Sequence, residues 1–539
     1  MNQPPPLEPY NLFAADPVLQ RAAEREGAGR FAESLAEFGA VVGSEQVIEW
    51  GFDANRHSPE LVTHDRFGER IDEVRYHPSY HSLLDLSVGH GIHAPRLDAT
   101  PGDGSYVARN VRMNLLSQIE VGHNCPTSMT GAVLPALQVQ PDVAQIWEPR
   151  VSTTSYDPRL INPADKTGCL IGMGLTERQG GSDVRANTST AVATGRGGPG
   201  ETYLLTGHKW FTSAPMCDAF MVLAHAPAGL SCFLLPRVLP DGTRNEIRIN
   251  RLKDKLGNRA NASAEIEYTD VTAWLIGDEG RGINTIIKMV NGTRLDVTNW
   301  AVALMRQATS QAAWHCAHRQ AFGSALIDKP LMQNVLADLE LETAIGTLMV
   351  MRTSGAYDRA GVSADETAFV RMASAVGKYW LTKRSTPVVR EALECVGGNG
   401  YVEESILPRL YREAPLNSIW EGSGNVIVVD VLRALERAPE SADAFIEEIE
   451  GPAGRDAVLA RELARLKDML AAGVEPVAGR RLVELMATCW GAALAVEFEP
   501  MLADAYVRSR LGGDQGAEFG ALDPALDLAS IARSSLPGR

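Results

Sequence analysis

The sequence predicts a multidomain α+β protein in which a β-rich segment lies between helical segments. Its 539 residues exceed what one ordinary core holds and correspond to about three or four domains of ~150 residues. Helical apolar spacing dominates before residue 165, short β-rich runs follow from about Gly168, and helical spacing returns from about residue 281. We therefore expect an N-terminal extension (1–45), a helical N-domain (46–165), a β-barrel domain (166–280), a helical C-domain (281–438) and an extra C-terminal helical domain (439–539).

The first 165 residues show mainly helical patterns. A Pro-rich start and one helix-like segment near Arg21–Phe38 predict an extension that packs against another part of the chain. Farther along, Pro126 stands where proline suits the first turn of a helix, and the apolar residues after it predict that this helix is buried. We expect Cys125 and Met129 of that helix to be core residues rather than catalytic groups.

Short β-rich runs after Gly168 predict a small antiparallel sheet or barrel, because Gly, Pro, Asn and Asp separate them. The loop Gly195–Gly200 formally matches the pattern G-x-G-x-x-G, yet it contains a proline and precedes a strand. A dinucleotide-binding loop instead follows a strand and opens a helix, so we interpret this loop as a hairpin connection. The predicted strands are Tyr203–Thr206, Ala219–His225, Leu230–Leu235, Ile247–Asn250 and Ala264–Tyr268.

Apolar residues recur at helical spacing through the rest of the chain. Between residues 440 and 539, ten Arg and Lys stand against seventeen Asp and Glu, which gives a net charge of −7. The C-terminal helices are therefore expected to build a core and not a basic arm for nucleic acid. The apolar stripes are Met332/Leu336/Leu339, Leu341/Ile345/Leu348, Leu459/Leu463/Leu466/Leu470 and Leu482/Met486/Cys489/Ala493.

Composition narrows the class of protein further. Hydrophobic residues make up 45% and charged residues 22%, a globular balance, and 51 basic against 67 acidic residues give a net charge of −16. That charge disfavours general binding to nucleic acid or anionic lipid, although it is compatible with a local basic patch. Seven widely spaced cysteines without a C-x-x-C pair indicate neither a disulfide framework nor a structural zinc site. With no secretory signal and no apolar run near ~20 residues, we expect a soluble cytoplasmic protein.

One carboxylate, Glu421, stands between an indole and the flexible segment Gly422–Gly424. A neighbouring indole removes water from a carboxylate, which raises its pKa toward the range of a general base. Glycines allow the backbone to approach a ligand, and the apolar run after them predicts a helix whose first N–H groups point at that ligand. The alternative is a capped turn with Glu421 on a solvated rim, and the motif alone leaves both readings open.

Two motifs of the β-domain suit a planar, polar ligand. The first places the hydroxyls of Thr176 and Ser182, together with free glycine N–H groups, around a turn. In the second, Gly207–Ser213, Phe211 could pack on a planar ring while Ser213 donates a hydrogen bond to it. The alternatives are a turn that satisfies its own backbone and a strand with one buried aromatic residue.

Two motifs of the later helical part suit a phosphate. Arg319 stands near a helix-breaking glycine in Arg-Gln-Ala-Phe-Gly, and an arginine so placed can clamp a pyrophosphate. The Gly-rich turn Glu394–Tyr401 lets the backbone approach a phosphate or a ribityl chain. The alternatives are an ordinary helix-end arginine and a simple helix-terminating turn.

In their order along the chain, these motifs resemble those of the acyl-CoA dehydrogenase superfamily of flavoenzymes over roughly residues 60–437. Details of four segments, with the N-terminal extension and the C-terminal domain, are similar to the adaptive-response branch of that superfamily, which is linked to protection from DNA alkylation. The resemblance implies a helical N-domain, a central antiparallel β-barrel, a helical-bundle C-domain, FAD as cofactor and assembly as a homotetramer, a dimer of dimers. The four segments are Gly172–Glu177, Gly207–Phe211, Arg251–Arg259 and Asn417–Asn425.

The resemblance also implies roles for individual residues. Glu421 falls on the catalytic base of the family and Arg294 on its active-site arginine, whose charge could set the proton affinity of the base. FAD would lie between the barrel and the C-domain with help from a second subunit. The expected cofactor-binding residues are Met173, Leu175, Thr176, Gly181, Ser182, Phe211, Ser213, Arg319, Phe322, Glu394, Gly397, Gly398, Ser423 and Asn425.

The implied reaction is α,β-dehydrogenation of an acyl thioester. Glu421 would remove the α-proton, flavin N5 would accept hydride from the β-carbon, and hydrogen bonds to the thioester carbonyl would stabilise the enolate-like charge. The chain departs from the family pattern at Pro330 and Glu394, which replace two glutamines, and at Asn261–Ser263, which replaces Ser-Asp-Thr. These departures favour a small or unusual acyl-type substrate over ordinary fatty acyl-CoA.

Two other functions stay open. An adaptive-response protein could bind double-stranded DNA and either screen it or destroy the alkylating agent. Alternatively, the protein could be a scaffold that keeps the flavin fold but has lost turnover. The expected small-molecule partner is an acyl-type substrate or an alkylating agent. If the protein is a DNA-binding protective protein, double-stranded DNA is a further partner. We expect no association with a membrane. Arginines that assembly could gather into a basic strip for DNA are Arg480, Arg481, Arg508 and Arg510.

Overall fold

The structure, a computed structural model, describes residues 2–93 and 99–538. The chain forms two compact units. The helical unit comprises Met1–Val47, Thr100–Ile119 and Arg294–Arg539, and the barrel unit comprises Ile48–Ala99 and Glu120–Thr293. Each unit is therefore assembled from segments that are distant in sequence.

Helices form most of the helical unit and part of the barrel unit. Many of them begin with a proline in the first turn, where its missing N–H is not needed. The helices are α1 (Pro17–Arg25), α2 (Ala32–Val42), α3 (Glu45–Arg56), α4 (Pro78–Gly89), α5 (Ser105–Ser117), α6 (Asn124–Ala132), α7 (Leu134–Leu137), α8 (Pro141–Val151), α9 (Gly282–His318), α10 (Pro330–Arg359), α11 (Ala364–Val396), α12 (Leu407–Asn417), α13 (Gly424–Arg437), α14 (Glu440–Ala453), α15 (Ala457–Ala472), α16 (Gly479–Phe498), α17 (Pro500–Tyr506) and α18 (Leu528–Ser534).

Strands form two short hairpins and one seven-stranded sheet. All five predicted strands are confirmed, each within a longer observed strand, and Gly195–Gly200 does connect two antiparallel strands. The strands are β1 (Glu60–His64), β2 (Arg70–Arg75), β3 (Ile171–Gly174), β4 (Thr190–Ala193), β5 (Thr202–Ser213), β6 (Ala219–Ala226), β7 (Gly229–Pro236), β8 (Ile247–Leu252), β9 (Ser263–Leu275), β10 (Gln320–Ala321) and β11 (Ser324–Ala325).

The large sheet closes on itself through the pairings β6–β4–β5–β9–β7–β6, which confirms the predicted central barrel. Fully buried aromatic residues such as Tyr203, Phe220 and Phe233 contribute to its core. Most pairings are antiparallel, but β3–β6 and β4–β6 are parallel, which the prediction of an antiparallel barrel did not include. Parallel pairing is possible there because β3 and β6 are separated by a long excursion of the chain through β4 and β5.

The hairpin of β1 and β2 adds two strands to a segment, residues 46–165, that is mostly helical as predicted. Leu61 pairs with Val74 and Val62 with Glu73 across its two antiparallel strands. Acidic and basic residues interrupt the apolar positions of both strands, so neither strand shows a clear alternation in the sequence.

The C-terminal helices pack on the central helices of the helical unit. Trp490 of α16 meets Phe369 of α11 and Phe445 of α14, with ring centroids 5.7 Å and 5.6 Å away. All three side chains are buried. The predicted stripes of α15 and α16 face the same core, apart from Leu470, which is half-buried.

The first residues of the chain form a strap, residues 2–10, against the helical unit. The Tyr10 hydroxyl donates to Gln307 Oε1 at 2.8 Å, and the Trp314 indole N–H donates to the carbonyl of Pro5 at 2.9 Å. At the start of the strap, Asn2 exchanges two hydrogen bonds with the backbone of Gln320, at 2.7 Å and 2.9 Å. The strap thus follows the last turns of α9 to β10, as expected of an extension that packs on another part of the chain.

No helix formed by residues 2–93 and 99–538 is both long and apolar enough to cross a membrane. All seven cysteines lie within those residues and are buried free thiols. The same part of the chain contains no group of three His, Cys, Asp or Glu placed to hold a metal ion.

Candidate active site

Glu421 lies in the loop that joins α12 to α13. It adopts a left-handed backbone conformation with φ of 55°, and Gly422 follows with φ of 104°. A residue with a Cβ is disfavoured there because Cβ comes close to the backbone, so the loop depends on outside contacts for its shape. The Glu421 side chain is half-buried, which is an environment between a solvated rim and a closed core.

Two buried cations hold the carbonyls of this loop. Arg294 Nε, on α9, donates to the carbonyl oxygen of Glu421 at 3.2 Å. Lys378 Nζ, on α11, donates to the carbonyl oxygen of Gly422 at 2.5 Å. The exposed fraction is 7% for Arg294 and 1% for Lys378. Two successive peptide units are therefore fixed from two different helices, which gives Glu421 a rigid support.

Arg294 is itself anchored by Asp430 of α13. Arg294 Nη1 and Arg371 Nη2 each donate to a different oxygen of that carboxylate, both at 2.8 Å. Burial raises the pKa of Asp430, but the two guanidinium groups outweigh burial and leave this pKa below its usual value. The sequence predicted Arg294 next to the base, and the structure places it between the backbone of Glu421 and this carboxylate.

The charged and neutral forms of Lys378 are both populated near neutral pH. Burial lowers the pKa of Lys378 to about 7. The carboxylate of Glu421 acts in the opposite direction, whereas the charges of Arg294 and Lys383 add to the lowering. Sequence reasoning missed Lys378, although a lysine in the apolar stretch Ala373–Leu381 was a visible signal.

Trp420 forms one wall of the loop. Its ring lies 5.6 Å from that of Trp300 of α9, and its indole N–H donates to Asn417 Oδ1 at 3.3 Å. The indole of the residue that precedes Glu421 is therefore fixed by both a ring contact and a hydrogen bond.

The first turn of α13 brings together Ser423, Gly424 and Asn425. A Cβ on Gly424 would lie 2.7 Å from Lys383 Cε, so a side chain at this position would force Lys383 to move. Asn425 Oδ1 accepts a hydrogen bond from Arg480 Nε at 2.8 Å. Ser423 is exposed and its hydroxyl does not cap the helix.

The predicted phosphate motifs both meet the strap. Arg319 Nη1 donates to the carbonyl of Asn2, and Asn399 Nδ2 donates to Gln3 Oε1 at 3.0 Å. In the Gly-rich turn, a Cβ added at Gly397 or Gly398 would meet no atom within 4 Å. The strap therefore ties the Arg319 segment to a turn whose surface is open.

Two further predicted residues lie beside these motifs. Phe322, at the tip of the β10–β11 hairpin, is 98% exposed and has φ of 51°. Glu394, on the last turn of α11, is exposed, and its carbonyl accepts the N–H of Gly397. An exposed aromatic residue of this kind is available to a planar ligand or to another chain.

The predicted residues from Met173 to Ser213 lie in the barrel unit. The carbonyl of Thr176 accepts the Trp210 N–H at 2.8 Å, which holds the Thr176 turn against β5. A Cβ on Gly181 would lie 2.4 Å from Thr176 Oγ1, so glycine is needed for this close approach. Beside them, Met173, Leu175 and Thr176 are half-buried and Ser182 is exposed.

Phe211 and Ser213 stand two residues apart on β5 and share one face of it. Phe211 is 47% exposed, and Lys253 Nζ lies 4.8 Å from its ring centroid. Ser213 Oγ lies 3.3 Å from Ser263 Oγ on β9. The intervening Thr212 is buried on the other side. The arrangement presents an aromatic ring and a hydroxyl together, and their use by a planar ligand stays a prediction.

Sequence reasoning missed the buried ion pair of Glu177 and Lys209 under these two motifs. Lys209 Nζ lies 2.7 Å from Glu177 Oε1, and both side chains are 0% exposed. Burial raises the pKa of Glu177, but the charge of Lys209 and hydrogen bonds from Thr188 and Ser189 hold it well below its usual range. The pairing of Thr-Glu with Gly-His-Lys in the motifs was the available signal.

A cavity of about 340 Å³ lies in the barrel unit beside Asn261 and Ala262, where the chain departs from the family pattern. Lys253, Lys255 and Arg259 bound it together with Asp254, so cations outnumber anions around it. A second cavity, of about 470 Å³, is lined by aromatic and polar residues that include Tyr76, Tyr80, His81, Tyr156, Lys166 and Asp218. Both are concave spaces of the size that small ligands occupy.

The predicted arginine strip for DNA is wrong in part. Arg510 is buried and pairs with Asp338 and Glu342 at 2.5 Å and 2.8 Å, because these acidic residues face the π-helical turn that carries it. Arg508 is also engaged by carboxylates, which include that of Asp514 at 3.3 Å. Exposed positions remain at Arg480 and Arg481.

Comparison with known proteins agrees with this fold and these motifs. The family models "Acyl-CoA dehydrogenase, middle domain" and "Acyl-CoA dehydrogenase, C-terminal domain" match residues 172–271 and 280–436. "Acyl-CoA dehydrogenase family member 11" of Caenorhabditis elegans is 30% identical over 82% of this chain and 73% of its own length. The solved structure of C. elegans ACDH-11 in complex with C11-CoA superposes with a TM-score of 0.84 at 25% identity, covering 100% of this chain and 94% of that one. These matches define an acyl-CoA dehydrogenase-like oxidoreductase.

The N-terminal part of the chain shows to which branch of this family the protein belongs. The model "Adaptive response protein AidB N-terminal domain" matches residues 2–158. AidB of Escherichia coli (strain K12), whose name places it among the acyl-CoA dehydrogenases, is 42% identical over 95% of this chain and 94% of its own length. The chain therefore belongs to the AidB branch of the acyl-CoA dehydrogenase family.

Proposed function

We propose that this protein is an FAD-dependent dehydrogenase of an acyl-CoA-type substrate, with Glu421 as the base. The observation that carries the proposal is the loop of Glu421, which keeps a disfavoured left-handed conformation through donors from Arg294 and Lys378. Strain of this kind is retained where a side chain must be presented in one orientation. A rim carboxylate would need no such support.

The residues present fit FAD. Gly397 and Gly398 leave open space for a phosphate, and Phe211 and Phe322 expose aromatic surface for ring contacts. In our proposal the barrel residues near Thr176 and Phe211 hold the isoalloxazine. The remaining predicted residues hold the rest of the cofactor, namely Arg319, Phe322, Glu394, Gly397, Gly398, Ser423 and Asn425.

Bound FAD supplies the two-electron oxidising capacity of the reaction. Glu421 takes the α-proton of the thioester on a carboxylate oxygen, and its fixed backbone sets the direction of that transfer. Arg294 and Lys378 keep this backbone in place. In our proposal the indole of the preceding residue, Trp420, limits the access of water to the carboxylate. The protein thus contributes a positioned base in a site partly closed to water.

In our proposal the cationic cavity beside Asn261 receives the phosphate end of a coenzyme A thioester. Lys253, Lys255 and Arg259 suit the phosphates of such a ligand. A similar solved structure was obtained in complex with C11-CoA. We propose an acyl-CoA with a small or unusual acyl group, since Asn261–Ser263 differs from the family pattern.

Anaerobic flavin reduction tests the proposal. Purified protein supplied with FAD should bind it, and one or more of a panel of short, branched and medium-chain acyl-CoAs should bleach its absorbance. Glu421→Gln should lower this rate about 10²–10⁴-fold, because the amide cannot accept the proton. The matched control is Glu436→Gln, an exposed carboxylate of α13, which should leave the rate unchanged. Failure to bind FAD, or an unchanged rate for Glu421→Gln, would refute the proposal.

The cofactor assignment has its own test. Gly398→Val places a branched side chain in the open space over the Gly-rich turn and should weaken FAD retention without unfolding the protein. Gly451→Val is the matched control, because a Cβ there also meets no atom within 4 Å. Equal FAD affinity of the two variants would contradict a phosphate at Gly398.

A second candidate function, protection from DNA alkylation, is supported by the match to the adaptive-response N-terminal domain. Binding of double-stranded DNA measured against salt tests it, since phosphate contacts give a steep negative slope of log affinity on log salt. If the exposed part of the predicted strip, Arg480 and Arg481, binds DNA, Arg481→Gln should weaken binding. The control Arg437→Gln should leave binding unchanged. A flat salt response would count against this function.

We also propose that the protein assembles as a homotetramer. Phe322 and Tyr401 are 98% and 80% exposed, and apolar surface of this kind commonly marks contact with another chain. Light scattering after size exclusion should give four times the chain mass of 58.2 kDa. A monomer mass would refute the homotetramer and with it the expected help of a second subunit in holding FAD.

A further inference from the structure

Lys378 buries its ammonium group against the loop of Glu421, at a cost that a purely structural lysine need not bear. Its side chain enters the protein from α11 with 1% exposed, and its ammonium ends on one carbonyl, that of Gly422. Burying a charge is costly unless partners compensate for it. The contact falls on the residue that follows Glu421, so this cost is incurred at the candidate base.

The contact complements that of Arg294. Arg294 holds the carbonyl of Glu421, and Lys378 holds the next carbonyl along the chain. Loss of either donor would free one peptide unit of a loop in which Glu421 and Gly422 both have positive φ. The pair therefore acts on the backbone that sets where the carboxylate points.

Lys378 also acts through its charge. The groups that influence it electrostatically are Glu421 in the loop, Arg294 on α9 and Lys383 on α11 itself. Arg294 shares the carboxylate of Asp430 with Arg371, so this carboxylate compensates only part of the positive charge near Lys378. Glu421 and Lys378 stabilise each other's charged forms, since an electrostatic coupling is the same for both partners.

We infer that Lys378 is a positioning residue for Glu421, which fixes the loop by its hydrogen bond and favours the carboxylate form of the base by its charge. The inference deepens the proposed function and rests on it for the role of Glu421. It adds that the base depends on a second group that itself titrates. Because burial lowers the pKa of Lys378 to about 7, the ammonium is present below that pH and its effect on Glu421 declines above it.

The test measures proton transfer rather than turnover. Exchange of the α-hydrogens of butyryl-CoA in D2O, followed by NMR on the anaerobic holoenzyme, reports proton abstraction as a function of pH. Glu421→Gln should abolish exchange. Lys378→Met should slow exchange and move the acid limb of the profile about one pH unit upward, because a nearby cation no longer favours the carboxylate.

Two further variants separate the hydrogen bond from the charge. Lys378→Gln retains a donor without charge, so it should keep more activity than Lys378→Met but show the same shift of the acid limb. Lys378→Arg retains a charge that does not titrate near neutrality, so its acid limb should match the wild type and any step near pH 7 should disappear. A merely structural lysine would give the same profile in all folded variants.

Difference infrared spectroscopy gives an independent readout. Subtracting the spectrum of Glu421→Gln from that of the parent isolates the carboxyl band of Glu421, without any substrate. The midpoint of its titration should rise in Lys378→Met and Lys378→Gln and stay in place in Lys378→Arg. If Lys378→Met does not fold, the comparison of wild type with Lys378→Arg still tests the step near pH 7.

The possible outcomes separate a failure of the proposed function from a failure of the inference on Lys378. Absence of α-hydrogen exchange in the wild type, with butyryl-CoA and with every acyl-CoA of the flavin-reduction panel, would remove the proposed function. The infrared titration would still decide whether Lys378 affects Glu421. Exchange that needs Glu421 but keeps the same acid limb in Lys378→Met would overturn the inference and leave the proposed function standing. Lys467→Met, which removes a lysine from the exposed pair with Glu450, is the control and should change neither readout.

Discussion

Replacing Lys209 with methionine would leave the buried carboxylate of Glu177 without its cation. The two charged atoms are 2.7 Å apart, and both side chains are 0% exposed. Removal of one partner from a buried pair typically costs 3–5 kcal/mol, because an uncompensated charge stays in the interior. Glu177 keeps hydrogen bonds from the backbone of Thr188 at 2.6 Å and the hydroxyl of Ser189 at 2.7 Å. We therefore expect a loss of about 3 kcal/mol, near the lower end of that range.

Thermal unfolding of the barrel unit measures this loss. A unit of 150–250 residues changes its Tm by about 2–4 °C per kcal/mol, so Lys209→Met should lower the Tm by about 6–12 °C. The double variant Glu177→Gln/Lys209→Met should recover much of this loss, because no unpaired charge remains. The control Lys467→Met removes one partner of an exposed pair and should change stability by less than about 0.5 kcal/mol.

The pH dependence provides a second check on the same pair. Lys209 keeps the pKa of Glu177 below its usual value, so the pair stabilises the fold above the usual range of a glutamate, about 4.3. This stabilisation is lost as the pH falls toward the lowered pKa. The difference between wild type and Lys209→Met should therefore shrink in acid. A Tm within about 2 °C of the wild type at pH 7, or a double variant as unstable as the sum of the single ones, would refute the reasoning.

Three further predictions concern stability. Burial alone would raise the pKa of Glu120, but His123 chiefly holds this pKa at about 2. The loss of stability in Glu120→Gln should therefore be complete at pH 7 and should vanish as the pH falls from about 4 toward 2. An equal loss at pH 7 and at pH 2, measured by denaturant titration, would contradict this. Trp490→Ala should cost about 3–5 kcal/mol because it empties an aromatic cluster, whereas Val477→Ala, at a 95% exposed position, should lie within about 0.5 kcal/mol of wild type in the same melts. Deletion of residues 2–6 should raise hydrogen exchange in residues 318–326 about thirtyfold, because it removes two hydrogen bonds worth about 1 kcal/mol each. Unchanged exchange there would show that the strap is dispensable.

Predictions from sequence succeeded where local pattern and packing agree. The strand Tyr203–Thr206 alternates and is bounded by turn residues, and the helix after Gly422–Gly424 follows a flexible segment with an apolar run. The strands β1 and β2 were missed, because their polar residues hide the alternation and their pairing supplies the missing stability.

Roles that depend on distant partners were the ones that sequence could not supply. Lys378 looks like a surface lysine on an apolar helix until the loop of Gly422 is placed over it. Arg510 was expected on a basic strip, but two acidic residues of α10, 168 and 172 positions earlier in the chain, neutralise it. Each of these side chains is defined by a tertiary contact whose partner is distant in the sequence. The assignment of Glu421 as the base stays a prediction until its variants are measured.

The strap has a consequence for the order in which the protein can be completed during synthesis. Tyr10 meets Gln307, which lies 297 residues later in the chain. At a translation speed of about 5–20 residues per second, the first residues wait roughly 15–60 s on the ribosome before their docking site exists. Leu7 and Leu12, which end up 7% and 1% exposed, stay solvated or held by a chaperone for that time. An affinity tag fused ahead of Asn2 would adjoin the residue that pairs with Gln320, so a tag at the other end is the better choice for measuring the docked strap.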